Sequence, residues 1–220
     1  MNSTTFEHNQ NESIIAHFGR ATIKQFKKGE VILRGTGAPD HLYFIESGYI
    51  KAYTLSLDGH KNLLLIHGPH ELIPLPWGLD GTDRINIYYE AMSHVTTKRD
   101  FKTSLRQAMG VNPWLAEQVL RLSINSLAVY THRIRCLAYR TPRERVAACM
   151  MELGSRFGNQ CTLGTVVKAP VTHQDISDST NMTRETTSRV IGQFAEEGLI
   201  SQKDRLFTIN DGEKLRTFFE

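Results

Sequence analysis

Apolar residues recur with two different periods along this chain. From Ala21 to about Val95 they come in short runs: TIKQF, KKGEVI, HLYFIESGYIKAYTL, KNLLLI and INIYYEAMS. The runs are broken at Lys28-Gly29, Gly35-Thr36-Gly37, Ser47-Gly48, Asp58-Gly59 and Gly68-Pro69, pairs that signal turns because Gly takes positive φ without strain and Pro pre-sets a bend. Short strands at such spacing predict an all-β barrel or roll, with Asp58-Gly59 closing a hairpin. A short helix over ESIIAHF, residues 12–18, precedes it. From Asn112-Pro113 onward the period becomes helical, with Pro at a first-turn position. The run PWLAEQVLRLSINSLAVYTHRIRCLAY contains neither Gly nor Pro after its first residue. Within it Leu120, Ile124, Leu127, Thr131, Ile134 and Ala138 alternate spacings of four and three, the seam of a coiled coil. Leu115, Val119, Leu122 and Val129 form a second, neighbouring stripe. Two stripes suit a helix that meets its own roll on one side and a second copy on the other. A helix packed only on its own domain is the plainer alternative.

A new helix begins after Arg140, where Thr141-Pro142-Arg143-Glu144 has the form of a capping box with Pro at the first helical position. A hinge is expected at Ala138 to Arg140, and the helix runs to about Phe157 on Val146, Met150 and Leu153. Arg140, Arg143 and Arg145 are either phosphate contacts or solvated. A short strand, VVKAP, follows, then THQDISDSTNMTRETTSRVIGQFAEEGLI. Thr172 is an N-cap with Asp175 three residues on, so a short helix spans about 173–180. Asn181 occupies a sharp turn, since Asn tolerates the left-handed conformation. Thr183 caps a second helix that Gly198 ends. Val190, Ile191 and Phe194 form its buried face. Arg184, Glu185, Ser188, Arg189 and Gly192 lie at i, i+1, i+4, i+5 and i+8, one contiguous stripe. Arg bonds the O6 and N7 of guanine, and Glu accepts from the N4 amine of cytosine. A solvated face with a Glu185–Arg189 pair is the alternative. LISQKDRLFTIN then reads as a hairpin around Lys203-Asp204-Arg205.

The stretch from Thr172 to Ile200 resembles the helix-turn-helix of the Crp/Fnr family, whose recognition helix carries an R-E-T-x-x-R pattern, here Arg184, Glu185, Thr186 and Arg189. FKKGEVILRGTGAPDHLYFIESGYIKAY resembles the cyclic-nucleotide-binding β-roll of the same family. The resemblance implies that Arg184, Glu185 and Arg189 read bases, and Ser188, on the same stripe, is a further candidate. It implies phosphate contacts at His173 and Gln174; Thr172 and Thr183 beside them, and Lys203 and Arg205 on the hairpin that reads as the wing of a winged helix, are further candidate phosphate contacts. The resemblance makes the long helix the interface of a homodimer. Departures are Asn181, where the family has Gly, and polar Ser179 and Thr180, where it has apolar residues. Family members that bind cyclic nucleotide have a Gly-Glu pair where this chain has Pro74-Leu75, within ELIPLPWGLDG. Prolines remove amide donors such a site uses. Arg84 lies near the position of the family's phosphate-binding Arg. An effector other than cyclic AMP, or none, is therefore expected. Leu65, Ile73, Trp77, Arg84, Tyr130 and Thr131 are the candidate pocket, with Trp77 either lining it or plugging a loop.

The 220 residues are 40% hydrophobic, enough for real cores. The polar N-terminus, residues 1–11, lacks secretory features and is expected to be disordered, and no apolar run is long enough to span a bilayer. A soluble, cytoplasmic protein is expected. Net charge is only +3. Residues 140–220 carry eleven Lys plus Arg and eleven Asp plus Glu, so DNA affinity must come from local clustering. Cys136, Cys149 and Cys161 are too dispersed for a metal cluster, and with no cysteine before Cys136 the iron–sulfur sensor of some Fnr-type relatives is not expected. His67 and His70 flank a turn near the pocket. They raise a haem sensor or a cupin-like metal enzyme as rivals, against the plainer reading of surface or loop histidines.

The expected fold is α+β: a cyclic-nucleotide-binding-like β-roll over 1–111, a dimerisation helix over 112–139 and a winged helix-turn-helix over 140–220. The expected function is a dimeric, sequence-specific transcription regulator with no catalytic residues, no cofactor and no metal. Its partners would be double-stranded DNA, a second copy, RNA polymerase and an unidentified effector, with no membrane. A constitutive DNA-binding module with a dead pocket stays open beside it.

Overall fold

The computed structural model describes residues 12–35, 37, 39–75 and 86–220. Trp77, Arg84 and the tail at 1–11 lie outside the described residues. By internal contacts the chain divides into two compact units, Met1–Ala52 with His67–Ala128, and Tyr53–Ile66 with Val129–Glu220.

Helix α1 (Glu12–Phe18) leads into strands β1 (Thr22–Phe26), β2 (Val31–Leu33), β3 (His41–Ser47), β4 (Ile50–Leu55), β5 (Lys61–His67), β6 (Leu72–Ile73), β7 (Tyr88–Ala91) and β8 (Val95–Phe101). They form two four-stranded sheets, in the orders β1-β8-β3-β6 and β2-β7-β4-β5. Antiparallel registers such as Phe26↔Val95 and Tyr43↔Ile73 join strands far apart in sequence. At the β3–β4 turn Gly48 takes φ +87°, and a Cβ there would sit 2.3 Å from the His94 carbonyl oxygen, so only Gly fits. Helix α2 (Lys102–Val111) and the first turns of α3 (Pro113–Ala138) close the first unit. Asn112 Oδ1 accepts from the amides of Trp114 and Leu115 at the start of α3. Ile14, Phe18, Leu42, Phe44, Leu72, Leu75, Leu105, Leu115 and Val119 form one buried cluster.

Strand β8 and helix α2 were not anticipated. In β8 the run Lys98-Arg99-Asp100 masks the alternation, although Val95 and Thr97 are fully buried. In α2 only Leu105 is buried, so its apolar face is too thin to show a period.

In the second unit α4 (Pro142–Phe157) starts with the expected capping box. Thr141 Oγ1 accepts from the Glu144 amide, and Glu144 Oε2 accepts from the amide of Thr141. Strands β9 (Gly158–Cys161) and β10 (Gly164–Val167) follow, then helices α5 (His173–Thr180) and α6 (Arg184–Glu196). The chain continues through β11 (Ile200–Lys203), β12 (Leu206–Ile209) and α7 (Gly212–Arg216). The sheet order is β11-β12-β10-β9, and the wing hairpin turns at Asp204 and Arg205 with φ of 51° and 66°. Strand β9, made of GNQC and exposed throughout, carries no apolar signal and was also missed.

Two readings of the sequence are corrected. His67 is no surface or loop histidine: it is 6% exposed, its Nδ1 lies 2.7 Å from Glu71 Oε2, and its ring packs on Tyr89. His70 is exposed at φ 69°. Arg143 and Arg145 are not free surface cations: both are half-buried and bond to other groups of the second unit.

Candidate nucleic-acid interface

The two helices of the reader are each fixed by their own caps. Thr172 Oγ1 accepts from the amide of Asp175 at 3.1 Å, and Asp175 Oδ2 accepts from the amide of Thr172 at 2.9 Å. Asn181 ends α5 in the left-handed conformation at φ 52° and ψ 52°, costing less there than most side chains would. Thr183 Oγ1 then accepts from the Thr186 amide. Gly198, at φ +72°, closes α6 in the conformation that favours glycine.

Thr187, Val190, Ile191 and Phe194 bury one face of α6. On the other, Arg184, Glu185 and Arg189 are exposed and Ser188 and Gly192 half-exposed. No ion pair links Glu185 to Arg189 among the described residues. Three charged side chains stand side by side, free to meet a ligand. Thr172, Gln174, Thr183, Lys203 and Arg205 are exposed as well, and His173 is half-buried. His173 Nδ1 lies 2.9 Å from Ser188 Oγ, and its ring stacks on Phe207 of β12 at 5.8 Å. Gln174 Nε2 donates to Asp178 Oδ1 at 2.6 Å.

The polar residues that set α5 apart from the family pattern have partners. Thr180 donates to the Ile176 carbonyl at 2.7 Å. Ser179 Oγ accepts from Arg133 Nη1 of α3 at 2.8 Å. Arg145 Nε donates to the Tyr139 carbonyl and its Nη1 to the Thr180 carbonyl. The C-terminal end of α5 is thus held by two arginines, which donate to the Ser179 hydroxyl and the Thr180 carbonyl left over at the helix end. Arg143 does the same for α6. Its Nη2 lies 2.8 Å from both carboxylate oxygens of Glu197, and its guanidinium lies 4.9 Å and 4.7 Å from the ring centres of Phe194 and Phe218. Sequence reading missed these braces, because a lone Arg on a helix has no period that marks it as an anchor.

All six seam residues of α3, Leu120, Ile124, Leu127, Thr131, Ile134 and Ala138, are exposed. Four are large apolar side chains at 59%, 55%, 65% and 69% exposure for Leu120, Ile124, Leu127 and Ile134. Leu115 and Val119 of the neighbouring stripe are 2% and 1% exposed.

Among the candidate pocket residues, Leu65 and Ile73 are buried, Tyr130 is half-buried and Thr131 is exposed. Leu65 lines a cavity of about 60 Å³ together with Arg133, Cys136, Cys149 and Ser179, whereas Ile73, Tyr130 and Thr131 are not among its walls. Burial lowers the pKa of the Arg133 guanidinium. Leu75 packs into the apolar cluster with Leu72 and Phe44. Among the described residues no group of three or more His, Cys, Asp or Glu is arranged to hold a metal ion, and no helix is long and apolar enough to cross a membrane.

Comparison with known proteins agrees with this geometry. Residues 144–218 match the Crp-like helix-turn-helix domain and residues 23–95 the cyclic nucleotide-binding domain. The chain is 30% identical over 201 residues to electron transport regulator A of Shewanella oneidensis, covering 87% of this chain and 76% of the relative. It is 27% identical over 195 residues to the fumarate and nitrate reduction regulatory protein of Salmonella typhi, covering 87% and 76%. Among solved structures it is similar to FixK2 from Bradyrhizobium japonicum, with TM-score 0.78, 23% identity, and 91% and 98% of the two chains covered. It is also similar to a CRP-family transcriptional regulator from Thermus thermophilus, with TM-score 0.72, 25% identity, and 89% and 95% covered.

Proposed function

Because the chain belongs to the Crp/Fnr family of DNA-binding transcription regulators, which are not enzymes, we propose that it acts as a homodimer setting two copies of α6 on a near-palindromic site. The observation that carries this reading is the exposed, unpaired stripe of Arg184, Glu185 and Arg189 on a helix braced at both ends. Charged side chains held on a rigid helix with no partner of their own are what direct readout in the major groove needs. The apolar seam of α3 supports the dimer, since four large exposed side chains in one line are costly to leave in water. Two recognition helices about one helical turn of DNA apart then read matching half-sites. Thr172, His173, Gln174, Thr183, Lys203 and Arg205 are proposed as backbone contacts that set register without reading sequence.

Control by a small molecule other than cyclic AMP is part of this reading. Leu75, buried in the apolar cluster, has no side-chain carboxylate to accept from a ribose hydroxyl. Such an effector works by binding two states of the dimer unequally. The alternative is a constitutive regulator whose pocket is filled.

Selection of binding sites from random DNA with the purified full chain tests the core of the proposal. A palindromic site is expected, and Arg184→Ala should cost about 1–3 kcal/mol at one G·C pair of each half-site. Equal loss on selected and random DNA would remove direct readout. Added cyclic AMP should leave the affinity unchanged.

A further inference from the structure

Ser188 differs from several other hydroxyl side chains in the helices of this protein. Ser123, Ser126 and Thr180 each donate to the carbonyl four residues back, at 3.0, 3.0 and 2.7 Å, the usual way a helical hydroxyl disposes of its hydrogen. Ser188 makes no such bond. Its hydroxyl is turned across to α5, where His173 Nδ1 lies 2.9 Å away. The imidazole cannot swing aside freely, because it is half-buried and stacked on Phe207 at an interplanar angle of 25°.

A neutral imidazole has one N–H and one lone pair, so this contact runs in one of two senses. If Nδ1 carries the hydrogen, it donates to Ser188 and leaves the serine hydrogen free for the groove. If Nε2 carries it, Nδ1 accepts, the single serine hydrogen is used up, and Oγ presents lone pairs alone. The second sense fits the phosphate contact proposed above for His173. Nε2 is the nitrogen left to meet a phosphate, and a phosphate oxygen only accepts, so Nε2 must donate. A serine hydroxyl can supply the hydrogen that Nδ1 then needs.

We propose that His173 fixes Ser188 as a hydrogen-bond acceptor and thereby makes it select a base with an amine in the major groove, adenine or cytosine, at one position of each half-site. In the major groove only the adenine N6 and cytosine N4 amines donate, whereas guanine and thymine present acceptors there. His173 is thus a specificity-positioning residue, acting on sequence through Ser188 while its own DNA contact carries none. The inference rests on the reading of α6 as the base-reading helix.

The test is binding-site selection with the full chain and with H173F, S188A and R184A. Phe keeps a ring against Phe207 and removes Nδ1. The unaltered chain should prefer A or C over G and T at one position by about three- to tenfold, the worth of a single hydrogen bond. S188A should flatten that position. H173F should flatten it too, or turn it towards G or T, while leaving the position read by Arg184 intact; that intact position also shows that the variant is folded. If H173F weakens binding evenly and keeps the preference that S188A abolishes, His173 is only a phosphate contact and the proposal is overturned. If S188A changes nothing, the proposal also falls, while direct readout by α6 survives so long as R184A alters its own position. A second measurement needs no DNA. Nitrogen-15 spectra of histidine-labelled protein at neutral pH, with the His173 signal identified by its loss in H173Q, should show hydrogen on Nε2; hydrogen on Nδ1 overturns the proposal.

Discussion

Arg143 shows how a single side chain holds the reader in place. Its guanidinium meets the Glu197 carboxylate at 2.8 Å and lies within 5 Å of the ring centres of Phe194 and Phe218. The ion pair alone is a third exposed and contributes little, so most of the effect is in the two ring faces. Arg143→Ala should lower stability by about 1–2 kcal/mol, read as an earlier urea midpoint with unchanged slope. Arg143→Lys should recover only part of it, because an ammonium cannot stack. The thiols behave as core residues. Burial pushes Cys136 up to about 12 and Cys149 up to about 11, while Cys161 is exposed. A thiol reagent at mild alkaline pH should therefore label one cysteine in the native chain and three in urea. These raised values favour folding below the ordinary thiol pKa, and the contribution is lost progressively as pH climbs from there to about 11 for Cys149 and about 12 for Cys136. Denaturation midpoints across that range should fall, and fall less with both cysteines replaced by alanine.

Among the elements, α3 and α6 were legible because each carries two faces with a clear period. The buried stripe of α3 and its exposed seam lie on adjacent lines of one helix. That is why the sequence pattern shows two stripes at once. Leu127→Glu puts a charge in the middle of the seam and should turn the proposed dimer into a monomer by analytical ultracentrifugation, with little change in helix content. A dimer that persists would move the interface elsewhere. Helix α2 and strands β8 and β9 were illegible for the opposite reason. Each buries few apolar side chains: α2 buries only Leu105, β8 is held by pairing to strands distant in sequence, as in His41↔Phe101, and β9 is held by backbone pairing to its neighbour β10, as in Thr165↔Gln160.

For the whole molecule the balance of charge shapes how DNA is held. Residues 140–220 are formally neutral, so attraction to phosphate must come from where cations are placed. Lys203 and Arg205 stand exposed beside the wing turn. Replacing both by alanine should weaken binding evenly across sequences and lower the salt slope by about two. A loss confined to certain base pairs would assign the wing a reading role instead.

By itself the sequence determined the order and kind of most elements, the stripe on α6 and the seam on α3, because these are statements about period and local hydrogen bonding. Thr141, Thr172, Thr183, Asn181 and Gly198 act within a few residues of themselves, so their roles are local and readable. Only the tertiary structure decided which arginines brace the reader, that His67 is buried, that Leu75 fills an apolar cluster, and that the hydroxyl of Ser188 is held by His173. Each of these depends on a partner from another element. The contact between residues 133 and 179, or 143 and 197, is set by how helices pack, and no spacing along the chain records it.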